Sequence, residues 1–420
     1  MSAGVSSMAR PKIFISHSSG KCGDEGCECA AYRDALAAHL EELGCDTVVD
    51  RDVLRGGDEW HRKLMVELLR SQGAVVLLSR HALDSYHVME EALLANALRE
   101  ANQQRFLLLP VVLPGVRRAD LQGSRLDGIG LGRLDMVDWS PAAGPAVPPP
   151  EVAGIVRPLV ERHGALPHPR VTEYVASRIE GLSDHALRQV AQELGVDVIA
   201  YARDHTDYVV STGLLSERPV DGIGAYCAMR KALTRLLPLL TDREHRRDVV
   251  DVVVPFARVP GRAAEQLRTL SDTVPSGRIA LLEARKVRTA QMYVRRASED
   301  PQPWRCHVAV PSPELDFVDS LVEDVGDYLA EHLCYGVHDK DVLRRALAQA
   351  EDERGGPVTI LLNVRPDDEL VRRLLAEFPQ LLFLFAHDQV GAGAAGHALL
   401  EPLSWEPEMD MLRTHEEFSR

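Results

Sequence analysis

Two adjacent glutamates, Glu90 and Glu91, are the residues of this sequence whose type and position best suit chemistry. They follow an apolar run at 74–78 and then Ser85, a residue suited to cap a helix. A carboxylate early in a helix, just past the carboxyl end of a strand, lies where open α/β sheets bind ligands. The helix dipole favours its ionised form. The competing interpretation is that both glutamates are solvated or cap the helix, without a chemical role.

The elements that must position these glutamates follow from the hydrophobic pattern. Five strands are predicted, at 12–16, 46–49, 74–78, 106–113 and 134–137. Helices are predicted at 32–43, 60–71, 85–101 and 151–163. Strands that alternate with helices at this spacing predict a parallel sheet with helices on both faces. The first and third runs are apolar without alternation, so we expect them to be inner strands.

Composition limits the class of protein. A chain of 420 residues with 45% hydrophobic and 26% charged residues is typical of a soluble protein with two or three domains. The net charge of −15 argues against a general nucleic-acid binder. No apolar run reaches membrane-spanning length, and the N-terminus lacks a signal-peptide pattern. Seven cysteines, mostly scattered, indicate a reducing compartment, so we expect a cytoplasmic protein without a membrane partner.

Six pieces of sequence in a fixed order carry a family resemblance. They are KIFISHSS at 12–19, ELGC at 42–45, DRDVLRGGDEW at 50–60, AVVLLS at 74–79, the S-x(5)-S-x(5)-E spacing from Ser79 through Ser85 to Glu91, and FLLLPVVLPG at 106–115. With these pieces, residues 11–164 resemble a TIR (Toll/interleukin-1 receptor) domain of the bacterial kind. The resemblance implies a flavodoxin-like α/β fold with five parallel strands.

The resemblance also implies a catalytic glutamate. Some TIR domains cleave NAD between nicotinamide and ribose, whereas others only dock on other TIR domains. In the enzymes, a glutamate of the third helix stabilises the oxocarbenium-like ribose and holds its hydroxyls. Gapless spacing from Ser79 and Ser85 selects Glu91. The family's usual tryptophan four residues earlier is His87 here, and counting from the aromatic Tyr86 instead selects Glu90, so Glu90 is kept as the alternative register.

A set of substrate-binding residues is implied at the carboxyl ends of the strands, as the crevice rule requires. They are Ser16, His17, Ser18, Asp50, Trp60, Ser85 and Tyr86. Trp60 could stack on a flat ring, but a core position in the second helix is the commoner role for such a residue. In the family, the loop after Asp50 mediates both assembly and access to the site.

Three cysteines, Cys22, Cys27 and Cys29, lie close together in the first strand–helix connection. With His17 as a fourth ligand they could bind zinc. The spacing lacks a second pair of the usual kind, so we favour reduced thiols and predict no metal site.

Other nucleotide and catalytic motifs are weak or missing in the sequence. GAGAAG at 391–396 satisfies G-x-G-x-x-G, but too few residues follow for a helix, a second strand and a ribose-binding acid. We interpret it as a glycine-rich loop. The sequence has no G-x-x-x-x-G-K-[ST], no nucleophile elbow and no H-E-x-x-H. We therefore expect no cofactor, with NAD as substrate only.

The sequence after residue 164 predicts two further domains. Residues 171–276 are helical in pattern, with Ser183 as a predicted N-cap. Beyond them, strands are predicted at 306–310, 358–364 and 381–385, and helices at 314–333, 341–353 and 367–377. We predict three domains: a TIR domain at 11–164, a helical domain at 165–276 and a smaller α/β domain at 277–420, which is a possible sensor.

These expectations combine into one functional hypothesis. It is a cytoplasmic NAD glycohydrolase effector in bacterial anti-phage defence, releasing nicotinamide and ADP-ribose or a cyclic isomer. Activity would require self-association of TIR domains, and residues 165–420 would respond to an unknown trigger or partner protein. The alternative is a signalling adaptor that acts only through TIR–TIR contacts. In a third hypothesis, the C-terminal α/β part is the active one, as a small-molecule sensor or a degenerate nucleotide binder.

Overall fold

Two parallel sheets organise the chain in a computed structural model, one in each of two units. The described residues are 10–18, 29–49, 60–101, 106–140, 142, 144–161, 169–196, 206–216, 223–271, 277–312, 316–334, 340–388 and 397–419. The first unit comprises residues 1–216 and 231–239, and the second comprises 217–230 and 240–420. The predicted domain boundaries at 164 and 276 fall outside the described residues, and the three-domain division stays a prediction.

The first unit contains a five-stranded parallel sheet of order β2-β1-β3-β4-β5. Its strands are β1 (Lys12–Ser16), β2 (Asp46–Val49), β3 (Gly73–Leu78), β4 (Leu107–Val112) and β5 (Val137–Asp138). The inner positions of β1 and β3 confirm the prediction from their unbroken apolar runs. Gly73 allows β3 and β4 to approach closely, because a Cβ there would lie 2.7 Å from the Cβ of Leu107.

Eight helices of the first unit are described. They are α1 (Cys29–Glu42), α2 (Trp60–Leu69), α3 (Arg80–Asp84), α4 (Tyr86–Ala101), α5 (Pro150–Glu161), α6 (Pro169–Ile179), α7 (Asp184–Glu193) and α8 (Thr206–Leu214). Three short 3₁₀ turns, Arg118–Leu121, Asp127–Ile129 and Leu131–Arg133, join β4 to β5. The predicted strand at 134–137 was placed too early, because Leu134 still belongs to the last turn and its N–H donates to the carbonyl of Leu131 at 3.0 Å.

Both faces of the first sheet are covered by apolar side chains. On one face, Leu36 of α1 and Val152 of α5 pack with Ile13 and Val75. On the other face, α2 and α4 pack against Phe14 and its neighbours. This second core also includes the buried side chains Ala176, Tyr208 and Val209 of α6 and α8. The helices after 168 therefore share a hydrophobic core with the sheet, an arrangement that the predicted boundary at 164 did not anticipate.

Polar contacts of Arg62 link α2 to α8 and to the end of α6. Arg62 of α2 lies over the Tyr208 ring, with its guanidinium carbon 5.4 Å from the ring centroid. Arg62 also forms an ion pair with Glu180, just after α6. Ser183 caps α7 as predicted, accepting a hydrogen bond from the Ala186 N–H at 3.3 Å.

The second unit contains another five-stranded parallel sheet, of order β10-β6-β9-β8-β7. Its strands are β6 (Ile279–Glu283), β7 (Cys306–Ala309), β8 (Thr359–Leu362), β9 (Leu382–His387) and β10 (Ala398–Leu399). Its helices are α10 (Arg243–Arg258), α11 (Gly261–Ser271), α12 (Val287–Ser298), α13 (Phe317–His332), α14 (Lys340–Arg354), α15 (Asp368–Glu377) and α16 (Trp405–Ser419), and residues of both units form α9 (Ile223–Leu236). The overall α/β class predicted from the sequence is confirmed, although β6, β10, α12 and α16 were not predicted individually.

Candidate active site

The end of β1 and the beginning of α4 meet in a single buried hydrogen bond. Ser16 is the last residue of β1, and its Oγ donates to Oε2 of Glu91 at 2.6 Å. Ser16 is 1% exposed and Glu91 is 5% exposed. The short distance is typical of a hydroxyl bound to a carboxylate. Two residues far apart in the sequence are thus joined at the carboxyl edge of the sheet, where α/β folds bind ligands.

The backbone around α4 explains why Glu91 points to this edge. The predicted helix at 85–101 begins as expected after Ser85, whose Oγ accepts from the Val88 N–H at 3.3 Å. Ser79 separately caps the short α3, accepting from the Ala82 N–H at 3.1 Å. The two caps set the starts of α3 and α4, the two helices that follow β3, and Glu91 then lies in the second turn of α4.

Glu90 is buried as well, at 3% exposure. Successive residues of an α-helix are rotated by about 100°, so Glu90 and Glu91 project in different directions. The structure brings Glu91 to Ser16. The choice of Glu91 over Glu90 as the catalytic residue stays a prediction, because the contact shows position and not activity.

A second polar pair lies beside this contact and includes a residue that the sequence analysis missed. Nη1 of Arg33, in α1, is 2.9 Å from Nε2 of His17. A guanidinium can only donate, so Nε2 of His17 must accept, and the ring carries its proton on Nδ1. Arg33 also donates from Nε and Nη2 to Oδ1 of Asp34, at 2.8 and 2.6 Å. The imidazole next to Ser16 is therefore held in one orientation and one tautomer.

Arg33 had a signal in the sequence. It lies at helical spacing from Leu36 and Leu40, on the face of α1 that packs against the sheet. The structure buries Arg33 to 4% exposure. An arginine on a buried helical face needs a hydrogen-bond partner. The sequence does not show which residues are the partners of Arg33.

The other predicted site residues are placed only in part. Ser18 is half-buried just beyond β1, and the half-buried Tyr86 packs against the core of α2 and α4. The Tyr86 ring meets the His87 ring edge to face, with centroids 6.1 Å apart. Asp50 and the Trp60 side chain lie outside the described residues.

The possible metal and dinucleotide motifs also fall mostly outside the described part of the chain. Cys22, Cys27 and the glycine-rich stretch at 391–396 are not among the described residues, while Cys29 begins α1 as a free, half-buried thiol. Within the described ranges, no group of three or more His, Cys, Asp or Glu side chains could hold a metal ion. In the same ranges no helix is long and apolar enough to cross a membrane.

Comparison with known proteins agrees with the geometry of the first unit. Residues 13–144 match the family model described as TIR domain, and this part of the chain is a TIR domain. The match stops before α5, so α6–α8 extend beyond it even though they share its core. Comparison with curated proteins and comparison with solved structures each gave no match.

Proposed function

We propose that the TIR domain of this chain is an NAD glycohydrolase (an NAD+ nucleosidase) that becomes active on self-association and serves bacterial anti-phage defence. The observation that carries the proposal is the Ser16–Glu91 hydrogen bond. It holds a carboxylate at the carboxyl edge of the sheet, at the position that the family resemblance implies for the catalytic glutamate.

The reaction makes modest demands that this group can meet. The bond between the ribose C1′ and the nicotinamide nitrogen breaks, and its electron pair leaves with nicotinamide, which departs neutral. The ribose becomes oxocarbenium-like, and the Glu91 carboxylate opposes that positive charge. Attack of water at C1′ then gives ADP-ribose and a proton, whereas attack by an adenine nitrogen of the same molecule gives a cyclic isomer.

The neighbouring residues would orient the substrate. The ribose hydroxyls compete with the Ser16 hydroxyl for the Glu91 carboxylate, so Ser16 holds that carboxylate in place until NAD binds. His17, fixed by Arg33, presents an Nδ1–H donor near the same edge. A preorganised donor and carboxylate act more strongly in a site that excludes water than they would in solution.

The burial of Glu91 favours a second candidate function. A carboxylate that is 5% exposed and bonded to Ser16 would also result if the group only fixed the start of α4. In that case the protein would be a non-catalytic adaptor that acts through TIR–TIR contacts, and residues 165–420 would bind a partner protein.

One experiment separates the two functions. The purified full chain is incubated with NAD, with and without a crowding agent that forces assembly, and nicotinamide release is followed by chromatography. If the chain is an enzyme, we expect nicotinamide release to rise with protein concentration and with crowding. If the chain assembles, as judged by light scattering, and releases no nicotinamide, the adaptor function replaces our proposal.

A further inference from the structure

A cavity of about 660 Å³ lies in the first unit, away from the Ser16–Glu91 contact. Its walls come from residues 93–100 of α4, the 3₁₀ turns between β4 and β5, and Gly195–Val196 after α7. Leu93, which lines it, comes two residues after Glu91 in α4 and is rotated from it by about 200° around the helix axis. The cavity therefore lies on the opposite side of α4 from the Glu91 side chain.

Five charged side chains line the cavity. Three are the arginines Arg99, Arg118 and Arg133, and two are the acids Glu100 and Asp127. The whole chain has a net charge of −15, so guanidiniums grouped in one cavity make it a more favourable place for an anion than the rest of the surface.

Two of the three arginines that line the cavity have guanidiniums without an intramolecular partner among the described residues. Arg118 is used within the fold, since it pairs with Asp138 at 2.9 Å and donates to the carbonyl of Met136 at 2.8 Å. Among the described residues, the guanidiniums of Arg99 and Arg133 make no hydrogen bond or ion pair. Guanidiniums with free donors match the oxygen atoms of a phosphate group in geometry as well as in charge.

Within the described residues, the two acids form no ion pair with Arg99 or Arg133. Asp127 accepts the N–H of Gly123 at 3.0 Å, and Glu100 accepts the side-chain N–H of Asn96 at 3.4 Å. Both carboxylates therefore face donors other than Arg99 and Arg133.

The smaller part of the cavity lining is apolar. Leu93, Ala97, Leu126, Ile129 and Val196 contribute to this part, which we call the apolar floor. A purely inorganic anion would leave this surface uncovered, whereas a ligand with a flat, weakly polar part would bury it. The volume is in the usual range for small-molecule sites, which is roughly 300–1,000 Å³.

We infer that this cavity is a binding site for a phosphate-bearing small molecule of nucleotide size. Arg99 and Arg133 hold the phosphates, and the apolar floor receives the base. The site bridges the helix that carries Glu90 and Glu91 and the helical segment that follows the TIR domain. The inference concerns binding and does not depend on NAD cleavage.

Calorimetric titration of the full chain with ATP, in a buffer that contains EDTA, tests the site. We expect one ATP per chain, with an affinity that falls as salt is added, because charge pairing is screened. The double variant Arg99→Gln with Arg133→Gln should bind ATP at least about tenfold more weakly, or not measurably. Both positions are half-buried or exposed, so folding should survive, and a melting curve checks this.

A matched control is available in the same connection. Arg125 is exposed, does not line the cavity, and forms no side-chain ion pair within the described ranges. The variant Arg125→Gln should bind ATP as the natural chain does. A second titration with tripolyphosphate should give clearly weaker binding, because that anion leaves the apolar floor uncovered.

Three results would overturn the inference. The first is no heat from ATP at millimolar concentration with the natural chain. The second is equal binding by the natural chain and the Arg99–Arg133 double variant, which would place the ATP elsewhere. The third is tripolyphosphate binding as tightly as ATP, which would exclude a site for the base.

Discussion

At the scale of single residues, the Ser16–Glu91 hydrogen bond fixes the orientation of the Glu91 carboxylate. Ser16 Oγ and Glu91 Oε2 lie 2.6 Å apart in a buried setting, so the carboxylate is oriented before any ligand arrives. Preorganised charge of this kind is the largest single contribution in many enzymes. Beside it, Arg33 fixes His17 through Nε2, so two polar groups at the end of β1 are held rigidly.

Replacing the carboxylate tests its role directly. The substitution Glu91→Gln keeps the size and the helix propensity but removes the negative charge. We expect NAD turnover by the assembled protein to fall by on the order of a hundredfold or more, comparable to the loss of one preorganised electrostatic group. Turnover is measured as nicotinamide released per minute.

The neighbouring glutamate is the matched control for that substitution. Glu90→Gln should retain most of the turnover if Glu91 is the catalytic residue. The reverse result, loss with Glu90→Gln and retention with Glu91→Gln, would show that the register counted from Tyr86 is the right one. Light scattering checks that both variants still assemble.

The Arg33–His17 pair makes a prediction that does not depend on catalysis. Arg33→Met keeps the length of the side chain but removes every donor, so Nε2 of His17 loses its partner. We expect the His17 ring to shift partly to the Nε2–H tautomer. Nitrogen-15 chemical shifts of histidine-labelled protein report the tautomer, and the His17→Gln variant assigns the signal.

Asp34 provides the control for this measurement. Asp34→Asn removes the carboxylate that accepts from Nε and Nη2 of Arg33, but leaves the Arg33–His17 bond in place. The His17 tautomer should then be unchanged. A natural chain whose His17 already carries its proton on Nε2 would contradict the geometry described above.

At the scale of elements, α8 packs against α4, the helix that carries Glu91. Its residues Tyr208 and Val209 belong to the same hydrophobic core as the buried face of α4. Asp207, in the first turn of α8, is buried with them. Burial raises the pKa of Asp207 to about 6, because the charged carboxylate loses its water.

This raised pKa predicts a pH dependence with a definite sign. The folded-state pKa of Asp207 lies above the ordinary value of 3.8, so its protonation stabilises the fold below about pH 4. That contribution is lost as the pH rises through about 6. At pH 7.5, Asp207→Asn should therefore raise the free energy of unfolding by on the order of 2 kcal/mol, and at pH 4 by little.

Thermal melting at the two pH values measures this effect. Asp135→Asn changes an exposed carboxyl of the same unit and serves as the control, with the same small change at both pH values. An Asp207→Asn variant that is no more stable than the natural chain at pH 7.5 would contradict the prediction. It would show that the charged Asp207 carboxylate does not destabilise the fold.

At the scale of the whole molecule, the TIR domain is continuous with helices that lie beyond its family match. The match ends at residue 144, yet Ala176, Tyr208 and Val209 lie in the core of the first unit. Removing α6–α8 would expose the apolar surface of α2 and α4 that these side chains cover. Exposed apolar surface of this kind promotes aggregation.

Two fragments compare this arrangement with the predicted boundary. We expect the fragment 1–239, which holds all of the first unit, to melt cooperatively. The fragment 1–164 should melt at a lower temperature or aggregate, and should bind a hydrophobic dye. Equal melting temperatures for the two fragments would support the domain boundary at 164 instead.

The sequence alone determined the elements that carry a strong local signal. Unbroken apolar runs placed β1 and β3 inside the sheet, because only strands covered on both faces can be apolar throughout. Serine caps located the starts of α4 and α7, since a side-chain oxygen there satisfies a backbone N–H that the helix leaves unpaired. These signals depend only on neighbouring residues, so they can be recognised without knowing the tertiary structure.

Only the tertiary structure decided which distant residues meet. Nothing near Ser16 or Glu91 in the sequence shows that they will share a hydrogen bond, because that depends on the strand order β2-β1-β3 and on the packing of α4 over it. The same holds for Arg33 with His17, and for α8 with α4. Such contacts arise from burial and packing between segments far apart in the chain. A hydrophobic or capping pattern describes only neighbouring residues, so it cannot predict them.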